Sequence, residues 1–232
     1  MMLLKMRQGI LFGLLSVLAI HFAYAAPKTV TLEYELERDG KLFANITEQF
    51  SQEGNQYAIH SVTQGIGIYA LLGKRELKSN GLVTKQGLKP LHFESLQSVN
   101  AKRTLINDFD WENQRLNMQV KGREQVLALQ DGTQDLLSIM YQFMFRPPTQ
   151  PLFAMPLTTG KKLSVTDYAV VTHVQVQKTK AGSFNIVTLT ERNTDEPKII
   201  YLAKDHYHLP IKVVMYDDGA KFEQTLIKLT LE

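Results

Sequence analysis

The chain has 232 residues, a formal charge of +3 and no cysteine, which excludes disulfides, thiolate metal sites, thiol nucleophiles and a lipid anchor attached through cysteine. Apolar residues make up 44%, enough for burial alone to hold a core. Lys5 and Arg7 account for two of the three excess charges, so the rest is nearly neutral and carries neither a nucleic-acid footprint nor a strong field for anionic lipid.

Residues 1–25 read as an export signal. Lys5 and Arg7 give a basic start, and the apolar run from Gly9 to Ala23 spans about 15 residues, short of the roughly 20 that cross a bilayer. Ala23-Tyr24-Ala25 supplies the small residues that signal peptidase requires. Cleavage after Ala25 is expected, leaving 26–232 as a single β domain in the periplasm with no stable membrane anchor.

Residues 29–37 alternate Val30, Leu32, Tyr34 and Leu36 with threonine and glutamate, the pattern of a half-buried strand with one wet face. Arg38-Asp39-Gly40-Lys41 turns the chain, and Leu42, Ala44, Ile46 and Phe50 continue the pattern as a hairpin. Glu53-Gly54-Asn55 turns it again into 56–64. Gly65 to Gly73 breaks the alternation with a glycine-flanked apolar run. It has no lysine or hydroxyl of a phosphate loop, so a short helix plugging one end of a barrel, or a mobile lid, is expected over about 65–73.

Asn80-Gly81 is a hairpin dipeptide, because both residues tolerate the positive φ of a type I′ turn. Gln86-Gly87 is a weaker turn, followed by strands over 88–99, 103–110 and 115–120, with Glu112-Asn113-Gln114 between the last two. From Thr133 the period changes. Leu136, Leu137, Ile139, Met140, Phe143 and Met144 fall at helical spacing, predicting a helix over about 134–145. Thr133 or Asp131 can cap it, Asp135 and Arg146 suit its dipole, and Pro147-Pro148 stops it.

Residues 147–160 are predicted as an apolar loop lying across the sheet, because Leu152, Phe153, Met155 and Leu157 suit no solvated linker. Strands resume with Tyr168, Val170, Thr172, Val174 and Val176 on one face, turn at Lys180-Ala181-Gly182, and continue over 183–190, 197–203, 210–216 and 221–231. The apolar phase slips between Ile186 and Val187 and between Leu226 and Ile227, which suggests β-bulges that curve a sheet. The fold class is mainly β, a strongly curved antiparallel sheet or open β-barrel with one helix and one short helical or lid segment.

Several phrases resemble the DUF3108 family of exported proteins. Tyr34 to Phe50 is similar to its first hairpin, Gly81-Leu82 through Gly87-Leu88-Lys89-Pro90 to its G-x-V-x-x-x-G-L-x-P stretch, and Asp108-Phe109-Asp110-Trp111 to its FDW strand end. Gln134-Asp135-Leu136-Leu137-Ser138 with Tyr141 resembles its D-x-L-S-x-x-Y helix, and Leu202 to Asp205 with Leu209-Pro210-Ile211 its C-terminal hairpin. The resemblance implies a curved all-β fold and a periplasmic setting, and no activity. By fold analogy alone it extends to the open half-barrels of LolA- and LolB-type lipoprotein carriers.

Candidate chemistry is sparse. His206 and His208 alternate and would present two imidazoles from a strand, but the segment reads better as a hairpin connection, and two ligands make no metal site. Asp108 and Asp110 share a strand face as paired carboxylates do in acid–base work, yet a solvated strand end accounts for them. Asp135 and Ser138 lack the histidine base and elbow of a serine hydrolase.

No cofactor is expected. The expected function is a binding or carrier module for a lipid, another apolar ligand or an envelope protein partner, with Tyr34, Leu36, Ile46, Ile68, Leu72, Met140, Phe143, Phe153, Tyr168 and Val170 as ligand-binding residues. The carrier reading predicts that the inward positions line an unfilled cavity. A hydrolase-like enzyme acting on envelope material, or a structural envelope-interaction protein, is the alternative.

Overall fold

A computed structural model describes residues 26–100 and 103–232; the proposed export segment lies outside them. Eight strands follow one another as β1 (Thr29–Arg38), β2 (Lys41–Glu53), β3 (Gln56–Gly65), β4 (Lys74–Thr84), β5 (Gly87–Gln97), β6 (Leu105–Asp110), β7 (Arg115–Val120) and β8 (Arg123–Ala128). A two-residue strand, β9 (Gln134–Asp135), leads into the helix α1 (Ser138–Phe145). The chain then runs through β10 (Leu152–Thr158), β11 (Leu163–Thr179), β12 (Gly182–Glu191), β13 (Ile199–Ala203), β14 (Leu209–Asp217) and β15 (Ala220–Leu231).

All fifteen strands form one sheet in the order β8 to β1, then β15 down to β9. The first and last strands pair at its centre, and the middle of the chain supplies both edges. The sheet is large and curved but not closed into a barrel.

Alternation builds the concave face. Val30, Leu32, Tyr34 and Leu36 of β1 are buried, as are Ala44, Ile46 and Phe50 of β2, and Tyr34 pairs with both Ile46 and Leu226 across the two neighbouring strands. The helix lies between the two halves of this surface. Leu137, Tyr141 and Met144 join the cluster containing β1, β2, β3 and β5 residues, whereas Ile139 and Phe143 join the cluster built from β10 to β14. Each large side chain so buried stabilises the fold by roughly 1.5–3 kcal/mol.

Several elements differ from the sequence reading. The helix begins at Ser138, not near 134, because Gln134 and Asp135 pair in parallel with Leu157 and Thr158 of β10. Asn80 and Gly81 make no turn. They run through β4 beside β5, with a register shift between them, and a β-carbon at Gly81 would collide with the Lys89 carbonyl, Pro90 and the Tyr57 ring. The glycine therefore serves close approach at a bulge, not a positive φ, and the hairpin turns at Lys85-Gln86 instead, with Gly87 at φ 101°.

The segment expected as a loop over 147–160 contains β10. Pro156 is tolerated there because β9 pairs only with residues 157 and 158, so Pro156 needs no amide on that side. No strand is legible in 123–128, since β8 is almost wholly exposed and leaves no apolar alternation. The slip at Ile227 is a bulge, with Lys228 opposite Glu33 and Leu226 opposite Tyr34. The slip in β12 is not. Its pairing with β13 is continuous, Ile186 and Val187 serve the two different clusters, and the irregularity falls in β11 between Val171 and Gln175. Beyond that irregularity the alternation predicted for β11 fails, so that Val176 is exposed while Tyr168 and Val170 are buried.

Candidate functional site

The helix α1 occupies the place where the sequence predicts an empty cavity. Tyr34, Leu36 and Ile46 pack in the cluster on one side of it. Phe143, Tyr168 and Val170 pack on the other, with Phe153 against them, its ring 6.1 Å from Phe143 and 5.3 Å from Tyr168. Met140 touches both clusters. The remaining two candidates, Ile68 and Leu72, stand at one end of the sheet and are 77% and 52% exposed. Eight of the ten therefore belong to the two packed clusters that flank α1, and Ile68 and Leu72 stand apart from both. Two grooves of about 330 and about 230 Å³ are lined mainly by residues of the outer face, such as Thr31, Gln49 and His60 in the larger, and include none of the ten.

Two buried carboxylates hold the helix in place. Glu48 points inward from β2 and accepts hydrogen bonds from the Ser61 hydroxyl at 3.3 Å and the Tyr141 phenol at 3.2 Å. Asp135, fully buried, accepts from Ser79 at 2.7 Å and from the backbone amides of Leu137 and Ser138, each at 2.8 Å. The last two bonds close the turn from which α1 starts. Ser138 reciprocates by accepting from the Asp135 amide, and Ser79 links to the Tyr57 hydroxyl at 3.1 Å.

Burial pushes both carboxyls above their ordinary range, and it raises the phenols of Tyr34 and Tyr141, with Glu48 adding to the effect. Both oxygens of each carboxylate bond to protein groups out of reach of solvent, so they act as anchors and offer no proton to an external substrate. A sequence signal for Glu48 exists. It occupies the inward phase of Ala44-x-Ile46-x-Glu48-x-Phe50, where an acid needs buried partners.

The other candidates are not brought together. Asp108 bonds to His92 at 2.7 Å on the exposed face, and Asp110 accepts from Asn113 at the β6–β7 turn. His206 packs edge-on against Phe184, and His208 sits at φ 54° in the β13–β14 connection, so strand alternation does not apply. Burial holds the His208 imidazole below its usual range. Among the described residues no three His, Asp or Glu side chains are grouped to hold a metal.

One end of the sheet carries exposed apolar surface. Gly67–Leu72 forms a short 3-10 helix with no buried residue, in which Ile68, Leu71 and Leu72 are 77%, 84% and 52% exposed. The turn is nonetheless fixed. Tyr69 lies 4.6 Å from the Phe43 ring, which meets Phe222 at 5.8 Å. The Ile66 amide donates to the Phe43 carbonyl at 3.0 Å, and Gly67 and Gly73 supply the left-handed backbone at φ 58° and 73°. Of the expected plug and lid, the structure thus has a short helix with one aromatic ring turned toward the aromatic group and three aliphatic chains turned out.

The sequence matches the family model for "Protein of unknown function (DUF3108)" over residues 29–226. The chain belongs to the DUF3108 family. Side chains of the sequence phrases noted above hold α1 and tie neighbouring strands together. Asp135, Ser138 and Tyr141 are the anchoring side chains just described. Gln142 accepts from the Leu88 amide at 2.6 Å, Trp111 donates to the Pro90 carbonyl at 2.6 Å, and Tyr34 donates to the Pro210 carbonyl at 2.8 Å.

A similar solved structure is a β-barrel-like protein of another domain of unknown function, DUF1849, from Brucella abortus. It is 13% identical, covers 90% of this chain and 99% of its own, and has a TM-score of 0.58, a likeness of fold alone. No curated protein matches the sequence.

Proposed function

We propose that this DUF3108 protein is an exported module of the cell envelope that binds a hydrophobic partner at its exposed rim, not a ligand inside its sheet. The observation that carries this reading is the contrast between a concave face filled by α1 and a short 3-10 helix that leaves three aliphatic side chains in solvent. Packed apolar interiors contribute stability, whereas aliphatic chains clustered on a fixed turn mark an interaction surface. An internal carrier would first have to expel α1, breaking the bonds of Glu48 and Asp135 in a dry environment.

Export to the periplasm, with cleavage after Ala25, is part of the proposal and rests on the basic, apolar and small-residue order of residues 1–25.

Fractionation of cells expressing the full chain tests the reading. The wild-type protein should sediment with envelope membranes, and the double substitution Ile68→Asp, Leu71→Asp should move it to the soluble periplasmic fraction. Equal distribution of the two proteins would end the proposal.

A further inference from the structure

We infer that the rim turn is a contact for the surface of an anionic phospholipid bilayer. This deepens the docking reading above and rests on it. The apolar group is larger than the turn itself. Val99, 61% exposed, lies against Gly73, and Leu42, 44% exposed, precedes the Phe43 that holds the turn. Beside it stand Lys74, whose amide donates to Ser98 at 2.8 Å, Arg103, whose guanidinium reaches Gln97 at 3.5 Å, and Lys41 at the start of β2. All three are exposed, and among the described residues none forms an ion pair. Elsewhere Lys78, Lys180 and Lys228 are each matched by a glutamate at 2.7–2.8 Å, while Lys121, Arg123 and Lys161, away from the apolar turn, also form no ion pair among the described residues.

Carboxylates do occur at the same end. Asp39 is engaged by Arg38 and the Lys221 amide, and Asp217 and Asp218 lie on the β14–β15 hairpin.

Aliphatic tips with unmatched cations at their base suit a headgroup layer. Aliphatic chains enter the boundary of the acyl region while lysine and arginine stems reach phosphates. The turn is a protrusion of six residues, and its fixed geometry means that no ordering cost accompanies insertion. The near-neutral total charge gives no long-range steering, so contact is short-ranged and reversible.

The test uses the processed protein purified after expression of the full chain and freed of lipid, sedimented with vesicles of phosphatidylglycerol and phosphatidylethanolamine or of phosphatidylcholine alone. The wild type should bind the anionic vesicles. Ile68→Asp with Leu71→Asp should lower the partition coefficient at least about tenfold, which corresponds to about 1.4 kcal/mol. Lys41→Glu with Lys74→Glu should abolish the preference for anionic lipid, and salt at about 1 M, where screening acts within about 3 Å, should weaken binding several-fold. An unchanged denaturation midpoint in both variants confirms that they fold.

Failure of the wild type to bind vesicles, or equal binding by the aspartate variant, overturns the inference. If vesicles are ignored while envelope fractionation still responds to Ile68→Asp, Leu71→Asp, the lipid inference falls and rim docking stands with a protein partner. If neither responds, both fall. A dimer that the aspartates dissociate would make a second copy the occupant and also overturn the inference.

Discussion

Replacing Asp135 by alanine should cost about 3–5 kcal/mol of folding stability, whereas replacing it by asparagine should cost only about 1–2. The carboxylate accepts three hydrogen bonds, from the Leu137 and Ser138 amides at 2.8 Å and the Ser79 hydroxyl at 2.7 Å. Alanine orphans three buried donors, each worth about 1–3 kcal/mol when unsatisfied, and partial relaxation of the helix start brings their sum to the lower end. An asparagine oxygen can still take both amides. Its NH2 group can then donate to Ser79, whose own hydroxyl proton turns to the Tyr57 oxygen at 3.1 Å, so that the only donor displaced is the buried Tyr57 hydroxyl.

Burial disfavours the charged form at this position, so the neutral amide loses little by giving up the charge. The assay is urea denaturation read by the fluorescence of the single tryptophan, Trp111, which stacks on Phe109 at 6.0 Å, with extrapolation to water. A loss below about 1 kcal/mol for Asp135→Ala would refute the anchoring role. Equal losses for alanine and asparagine would show that charge, not acceptor geometry, matters.

Glu48→Gln tests the second anchor through pH. Burial raises the Glu48 carboxyl above 4.5, so its favourable contribution is full below that value and is lost as pH rises through the raised one; glutamine has no such loss. Paired denaturation curves at about pH 4 and about pH 8 should therefore show the variant gaining on the wild type as pH rises, and a pH-independent difference would refute this. Gly81→Ala should destabilise by about 1–3 kcal/mol, because its β-carbon meets the β5 backbone and the Tyr57 ring; an unchanged midpoint in the same assay would show that the strands separate freely. The mass and terminal sequence of protein from periplasmic extract should begin at Ala26, and retention of residues 1–25 would contradict export by cleavage.

Much of the fold is legible in the sequence because it is encoded locally. The alternation of Val30, Leu32, Tyr34 and Leu36 needs only one wet face and one dry one, and the phase slip at Ile227 shows a bulge because one extra residue inverts every later side chain. The helix type is legible for the same reason, but its start is not, since the pairing of Gln134 and Asp135 with Leu157 and Thr158 of β10 is a contact more than 20 residues away. Asn80-Gly81 misleads because its composition suits a turn equally well, while the feature that decides, the approach of Lys89 and Pro90, lies nearly ten residues away in the partner strand.

The site was the least legible part. Apolar residues at inward positions read alike whether they enclose an empty space or press against a helix, and only the fold places Tyr141 against Glu48, 93 residues earlier, and Asp135 against Ser79, 56 residues earlier. By itself the sequence determined the strand class, the curvature and the apolar character of residues 65–73. The tertiary structure decided that α1 fills the concave face and that Ile68, Leu71 and Leu72 remain outside, because burial is a property of what packs opposite a residue and not of the residue alone.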